Sequence, residues 1–550
     1  MEPQSTPLPK GGILPVTRRV MNLAHIVTQN ARRLPGHPAF IWGERVLSWA
    51  EIDAQVSALA AGLCKRGLGK GDRILLHSKN CDAMFVSMFA AFRLGAVWVP
   101  TNFRLLPDEV AYLSTSSGAK AFLCHGDFPD HAAAVAAASP APDFTWRIGE
   151  QTSGQGEFGE DDVAAVISRH LGERVANEPV EHDDPCWFFF TSGTTGRSKA
   201  AVLTHGQMGF VITNHLCDLV PDTTEKDASL VVAPLSHGAG VHQLMLSARG
   251  ATTILLPSER FDVDEAFRLI AKNRVTSLFT VPTILKMLVE HSAVDAHDHS
   301  SLRYVIYAGA PMYREDQKVA LAKLGPVLVQ YFGLGEVTGN ITVLPTRLHS
   351  AEDGPEARIG SCGYERTGMQ VEIQDDDGHP VAANVQGEIC VIGPAVFAGY
   401  YDNPEANAKS FRNGWFRTGD LGHMDEQGFV YITGRASDMY ISGGSNIYPR
   451  EIEEKILTHP AIAEVAVVGV PDPVWGEIGV AVCVARPGAS ASEAEIADFL
   501  SAKIARYKMP KRFLFWEALP KSGYGKVPKR LVRDELEARG ELALLRGKAS

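Results

Sequence analysis

The run Thr191-Ser192-Gly193-Thr194-Thr195-Gly196-Arg197-Ser198-Lys199 follows the apolar stretch Phe188-Phe189-Phe190. Its residue types suit an anion. Glycines allow the backbone angles by which consecutive N–H groups converge on one charge. Hydroxyls add donors, and Lys199 adds a point charge for phosphate. The spacing differs from GxxxxGK[ST], so this is not the Walker-type loop. A second basic concentration spans residues 503–533, with ten Lys and Arg against the single acid Glu517. Opposite a polyphosphate it would form a basic lip; otherwise it is a solvated face. Other chemistry-bearing residues lead less far. Ser236 and His237 are adjacent, yet no GxSxG elbow accompanies them to make a hydrolase. His297-Asp298-His299 sits in a polar loop without the companion ligands a metal site needs.

Such residues need a scaffold to hold them. The chain has 550 residues, 45% hydrophobic and 21% charged, the composition of an ordinary globular protein. Its net charge of −11 argues against a general nucleic-acid binder. Eight cysteines form no CxxC pair, which suggests buried reduced thiols in a cytoplasmic protein rather than a zinc ribbon or disulfide framework. The N-terminal stretch has no apolar signal-like region, and the apolar run 83–97 is interrupted by Arg93, so no integral membrane segment is expected.

Residues 48–66 read as a helix opened by a Ser48…Glu51 capping box and stopped by Gly67. Residues 73–77 read as a strand, 83–94 as a helix, and 131–142 as an Ala-rich helix running into a loop. Residues 151–162, rich in glycine and acid, read as a surface excursion. The βα alternation implies a layered, mostly parallel sheet. Beyond about residue 360 come short strands at 370–374, 387–392 and 428–433, with turns such as Asp377-Gly378, suggesting an antiparallel sub-barrel. After a boundary near 435–438 follow a helix opened by Pro449 (451–457), strands at 463–470 and 479–485, and a helix around 494–505. The expected fold is therefore α/β. A large multi-layer N-terminal domain, 1–436, has parallel-type sheets plus a small β sub-barrel, and a small mobile α+β C-terminal domain covers 437–550. The smaller part carries 16 Lys and Arg against 15 Asp and Glu, so the acidity belongs to the larger.

Read in order, the motifs carry a resemblance. The 191–199 loop, Arg93-Leu94-Gly95-Ala96-Val97-Trp98-Val99-Pro100, Tyr307-Ala308-Gly309-Ala310-Pro311, Tyr331-Phe332-Gly333-Leu334-Gly335-Glu336 and Trp415-Phe416-Arg417-Thr418-Gly419-Asp420-Leu421 come first. Gly434-Arg435, Ser442-Gly443-Gly444 and Pro520-Lys521-Ser522-Gly523-Tyr524-Gly525-Lys526 complete the series. This ordered set resembles the adenylate-forming superfamily of acyl-CoA synthetases, peptide-synthetase adenylation domains and firefly-type luciferases.

The resemblance implies ATP, Mg²⁺ and CoA as cofactors. Residues Thr191 to Gly196 and Lys199 would grip phosphates, and Gly309-Ala310-Pro311 would lie close to the purine. Within Tyr331 to Glu336, also assigned to the nucleotide, Phe332 would stack on the purine and Glu336 would hold Mg²⁺, an oxygen ligand for a hard cation. Asp420 would accept from ribose hydroxyls, and Arg435 would approach ribose and phosphate. Lys526 would stabilise charge at the α-phosphate. Ser442, Gly443 and Gly444 would line the passage for the CoA arm, Ser437 would be the hinge, and His237 and Gly333 would border the acyl pocket. The sequence departs from the family pattern at Gly335, where threonine is usual, and at Ser437, where Asp or Lys is common. A threonine restored at 335 is expected to be tolerated if its hydroxyl merely adds a contact.

The implied activity is acid–CoA ligation through acyl-AMP, with release of AMP and pyrophosphate. The alternatives are a stand-alone enzyme loading a carrier protein, a luciferase-like oxidoreductase or a lapsed binding module. Nothing after Leu531 resembles an appended carrier domain, and the intact site residues argue against a lapsed module. The expected partners are a small carboxylic acid, ATP and CoA, with no nucleic acid and a homodimer left open. The acid itself is not given, although Arg249 lies in a candidate region for clamping a second carboxylate.

Overall fold

A computed structural model describes residues 19–149, 161–191, 197–257, 261–310, 312–354, 357–521 and 527–542. Two largely parallel sheets form the scaffold. One has six strands, ordered Phe144–Ile148, Ala121–His125, Arg73–His77, Val97–Pro100, Pro185–Thr191 and Lys199–Thr204. The other has nine strands with a parallel centre that includes Ala228–Val231, Ser277–Thr280, Tyr304–Tyr307 and Leu328–Phe332. Strands such as Val97–Pro100 are buried at every position, as expected where helices cover both faces. The helix Trp49–Lys65 begins on the predicted capping box, with Ser48 Oγ accepting from the Glu51 N–H at 3.3 Å. The strand Arg73–His77 and the helix Asp82–Arg93 lie where the pattern put them, and the Ala-rich helix is shorter, Pro129–Ala136. Of the expected surface excursion, residues 151–160 lie outside the described ones.

A third sheet of five antiparallel strands, including Gln370–Gln374, Gly387–Ile392, Trp415–Met424 and Val430–Arg435, corresponds to the expected sub-barrel. Its apolar residues join one continuous core with both parallel sheets. The fourth sheet belongs to the C-terminal domain. Ile462–Asp472 and Gly476–Ala485 pair antiparallel along nearly their whole length, and Arg512–Phe515 adds in parallel. Successive residues of Ile462–Asp472 point to opposite faces, so Val465 and Val467 enter one core, under the helices Pro449–Ile456 and Glu493–Ser501. Ala466, Val468 and Val470 enter another, under Lys529–Ala538. Among the described residues, no helix is long and apolar enough to cross a membrane.

Candidate active site

A cavity of about 2220 Å³ is lined by the ends of the two parallel sheets, the antiparallel sheet and one face of the C-terminal domain. Thr191, Lys199, His237, Gly309, Ala310, Phe332, Glu336, Asp420, Arg435 and Ser437 all line it. Residues spread in sequence from Thr191 to Ser437 meet here because strand ends of several sheets converge on one space. Pro185–Thr191 and Lys199–Thr204 pair antiparallel, which sets Thr191 opposite Lys199 at the mouth of the phosphate-type loop. Ser192, Gly193, Thr194, Thr195 and Gly196 lie outside the described residues, as do Pro311 and Lys526. The residues flanking the Lys526 segment, Lys521 and Val527, both line the cavity.

Glu336 is buried in a short 3₁₀ turn, Gly335–Val337. Its Oε1 accepts from Thr191 Oγ1 at 2.9 Å and from the Tyr400 hydroxyl at 2.8 Å. Tyr400 arrives because the free edge of Lys199–Thr204 takes up the segment around it, Val202 N–H donating to Gly399 O and Tyr401 N–H to Ala200 O. The Lys199 ammonium lies 5.0 Å from the Tyr400 ring centroid, a cation–π contact. Burial first, and then the Glu336 carboxylate, push the Tyr400 phenol up, so it stays a donor. This tyrosine was missed in the sequence, where nothing marks it off from neighbouring Tyr401. The oxygen-only donor set of Glu336 and its hydroxyl neighbours suits Mg²⁺, which takes one or two protein carboxylates and completes its shell with phosphates and water.

Asp420 and Arg435 are cross-strand partners on Trp415–Met424 and Val430–Arg435. Their ion pair measures 3.1 Å, the carboxylate side chain 7% exposed and the guanidinium 47%. Thr418 Oγ1 accepts from the Asp420 N–H at 3.0 Å and donates to Ile389 O at 2.7 Å, fixing the strand locally.

Several expectations need correction. Gly335 cannot simply be restored to threonine: a Cβ there would stand 2.6 Å from the Phe189 ring and 3.0 Å from Thr191 Cγ2. The space left by the missing side chain is filled by Phe189. Gly333 borders the cavity as expected, and a Cβ on it would meet the Gly339 backbone at 2.4 Å, so the position is closely packed. Tyr331 lines the same cavity as Phe332. Strand alternation turns its buried ring toward His242 and Phe279. Arg249 closes a helix, donates to Thr223 O at 2.8 Å and does not line the cavity. His237 does, packed edge-on against Phe189 with ring centroids 4.8 Å apart. Ser442, Gly443 and Gly444 form the tip of a hairpin, with φ of +57° and +80° at the two glycines, and are not among the residues lining the cavity. Ser437 is exposed in the turn that follows Arg435.

Comparison with known proteins shows the family of the chain. Residues 27–401 match the family of AMP-binding enzymes, and residues 451–526 match the AMP-binding enzyme C-terminal domain. A feruloyl-CoA synthase from Amycolatopsis is 35% identical over 507 residues, covering 92% of this chain and 97% of that protein. The long-chain-fatty-acid–CoA ligase FadD13 of Mycobacterium tuberculosis is 34% identical over 500 residues, covering 90% and 93%. The ATP-bound crystal structure of MatB from Rhodopseudomonas palustris superposes with a TM-score of 0.82 at 30% identity, covering 94% of this chain and 99% of that one. The chain belongs to the family of AMP-binding enzymes.

Proposed function

We propose that this enzyme, an acid–CoA ligase, activates its acid at the Glu336–Asp420 end of the cavity and then passes the acyl group to CoA. Asp420 accepts from the ribose hydroxyls while Arg435 holds it in place and faces the phosphates. Phe332 and the 309–310 backbone bracket the purine. Thr191 and Lys199 face the β- and γ-phosphates. Glu336, with Thr191 and Tyr400 fixing its carboxylate, would hold Mg²⁺, which when bound offsets phosphate charge. A carboxylate oxygen of the acid attacks the α-phosphorus, the bond to the pyrophosphate oxygen breaks, and pyrophosphate leaves. Lys526 stabilises the charge that builds there. The CoA thiolate then attacks the acyl carbon, and the carbon–oxygen bond to AMP breaks.

Residues 1–436 and 437–550 act as the two domains, pivoting in the exposed turn at Ser437. The hairpin at Ser442, Gly443 and Gly444 swings toward the cavity for the second step, bringing a passage with little side-chain bulk to the pantetheine arm. The observation that carries this reading is the convergence of Thr191, Lys199, Glu336, Asp420 and Arg435 on one cavity that a face of the C-terminal domain closes. Relatives include a feruloyl-CoA synthase, an indoleacetate–CoA ligase and a long-chain-fatty-acid–CoA ligase, which supports a carboxylic acid, ATP and CoA as the substrates. The test is a panel of carboxylic acids assayed for pyrophosphate, AMP and thioester, with and without CoA. Pyrophosphate and AMP in equal amounts with a CoA thioester support the reading. ADP as the nucleotide product, or AMP with no CoA thioester from any acid activated, overturns it.

A further inference from the structure

The same cavity is also bordered by two histidines from neighbouring helices. His215 lies in the last turn of His205–Asp218 and His242 in the middle of Gly238–Arg249, their ring centroids 5.0 Å apart. Each residue is 1% exposed, and each has a buried ring nitrogen without a hydrogen-bond partner, Nε2 of His215 and Nδ1 of His242. A buried polar atom left unpaired costs about 1–3 kcal/mol, so two on one cavity wall point to a ligand that pairs them.

Their other nitrogens indicate what they offer. His215 Nδ1 lies 3.3 Å from an Arg366 Nη2, and a guanidinium can only donate. The single proton of the neutral His215 ring is therefore on the unpartnered Nε2, a donor. His242 Nε2 lies 3.3 Å from the Tyr331 hydroxyl, whose rotation lets His242 Nδ1 either donate or accept. One donor beside one adaptable group matches a hydroxyl. The charge here is already balanced, since Arg366 is paired with Asp218 at 3.1 Å, and burial together with Arg366 disfavours protonation of either histidine. A second carboxylate would thus find no spare cation. The wall is also flat: Phe279 stacks on His242 at 4.3 Å and lies parallel to Tyr331 at 6.0 Å, both with interplanar angles of 16°.

Resting on the acid–CoA ligase reading, we propose that the acid activated here is an aromatic carboxylic acid bearing a ring hydroxyl, which His215 and His242 select by hydrogen bonding. A flexible alkyl chain would leave both nitrogens unpaired, whereas a hydroxylated ring fills the flat slot and satisfies them.

The experiment compares kcat/KM for matched acids in wild type: 4-hydroxycinnamic against cinnamic acid, 4-hydroxyphenylacetic against phenylacetic acid, with decanoic acid as the alkyl probe. The expected result is a preference of about 10- to 100-fold for the hydroxylated member of at least one pair, with decanoic acid below it. In His242→Leu this ratio should shrink to within about threefold, and His242→Gln should restore part of it. Equal or better use of the deoxy acids by wild type overturns the proposal, and so does a His242→Leu variant that lowers both members of a pair by the same factor. Should that variant not fold, the wild-type ratio decides alone. An enzyme that activates decanoic acid and ignores the hydroxyl refutes this inference and leaves the ligase reading standing; one that forms AMP from no acid refutes the ligase reading itself.

Discussion

The two ends of the cavity are built on opposite rules. At the Glu336 and Asp420 end, charged groups are held by partners that leave them aimed: Asp420 by Arg435, Glu336 by Thr191 and Tyr400. At the His215 and His242 end the lining is neutral, aromatic and incompletely paired. In the proposed reading the nucleotide takes the first end and is the same in every turnover, so that end can be complete before binding, with dipoles and charges preorganised. The acid is what the enzyme must choose. Selection by hydrogen bonding requires atoms left unpaired until the right tail arrives.

If this division holds, damage at the charged end should act on every acid alike. The largest effect is expected at Lys526. Lys526→Ala should slow acyl-AMP formation by roughly 10²–10³, yet transfer supplied acyl-AMP to CoA at close to the wild-type rate. Equal slowing of both half-reactions, measured separately by rapid quench, would show the lysine to be structural. Next comes Asp420→Ala, which should weaken AMP and ATP binding by roughly 10- to 150-fold, the value of one charge-assisted contact. Lys199→Ala should harm ATP use more than AMP binding. Calorimetry giving equal AMP affinity in wild type and Asp420→Ala would contradict the ribose assignment.

A smaller effect sharpens the comparison through packing. Gly335→Thr should destabilise the protein by about 1–3 kcal/mol, because its Cβ meets the buried Phe189 ring. Adding Phe189→Leu should recover part of the loss in thermal unfolding. No change in melting temperature for the single variant would mean that Phe189 yields freely.

The mildest effect concerns pH. Burial above all holds His242 and His77 down to about 3 and His205 and His349 down to about 4. Their values once unfolded are near 6.5, so below that pH the unfolded chain binds more protons and stability falls as pH drops. Each such histidine contributes up to about 1.4 kcal/mol per pH unit. The melting temperature should be nearly level from pH 7 to 8 and decline from pH 6.5 toward 4; a level profile down to pH 4.5 would mean these rings can take up protons while folded.

That Glu336, Asp420 and Arg435 meet at one cavity was legible in the sequence, because each sits in a short contiguous motif that carries the family resemblance. The strand Arg73–His77 and the Ser48 cap were legible as well, being set by local pattern and local hydrogen bonds. The rest depends on long-range contacts. Tyr400 reaches Glu336 from 64 residues away, and Arg366 reaches His215 from 151. A buried histidine in an apolar helix looks like any core histidine until its neighbours are known. The consequence of Gly335 was equally hidden, since the ring that fills its space belongs to another strand.

The most direct test of the account follows an oxygen atom. With acid labelled by ¹⁸O in its carboxylate, attack on the α-phosphorus and later cleavage of the acyl carbon–oxygen bond must leave one labelled oxygen in the AMP phosphate. Mass spectrometry of the products should therefore show singly labelled AMP and unlabelled pyrophosphate for every acid the enzyme accepts. Unlabelled AMP formed alongside the thioester would contradict the acyl-AMP mechanism.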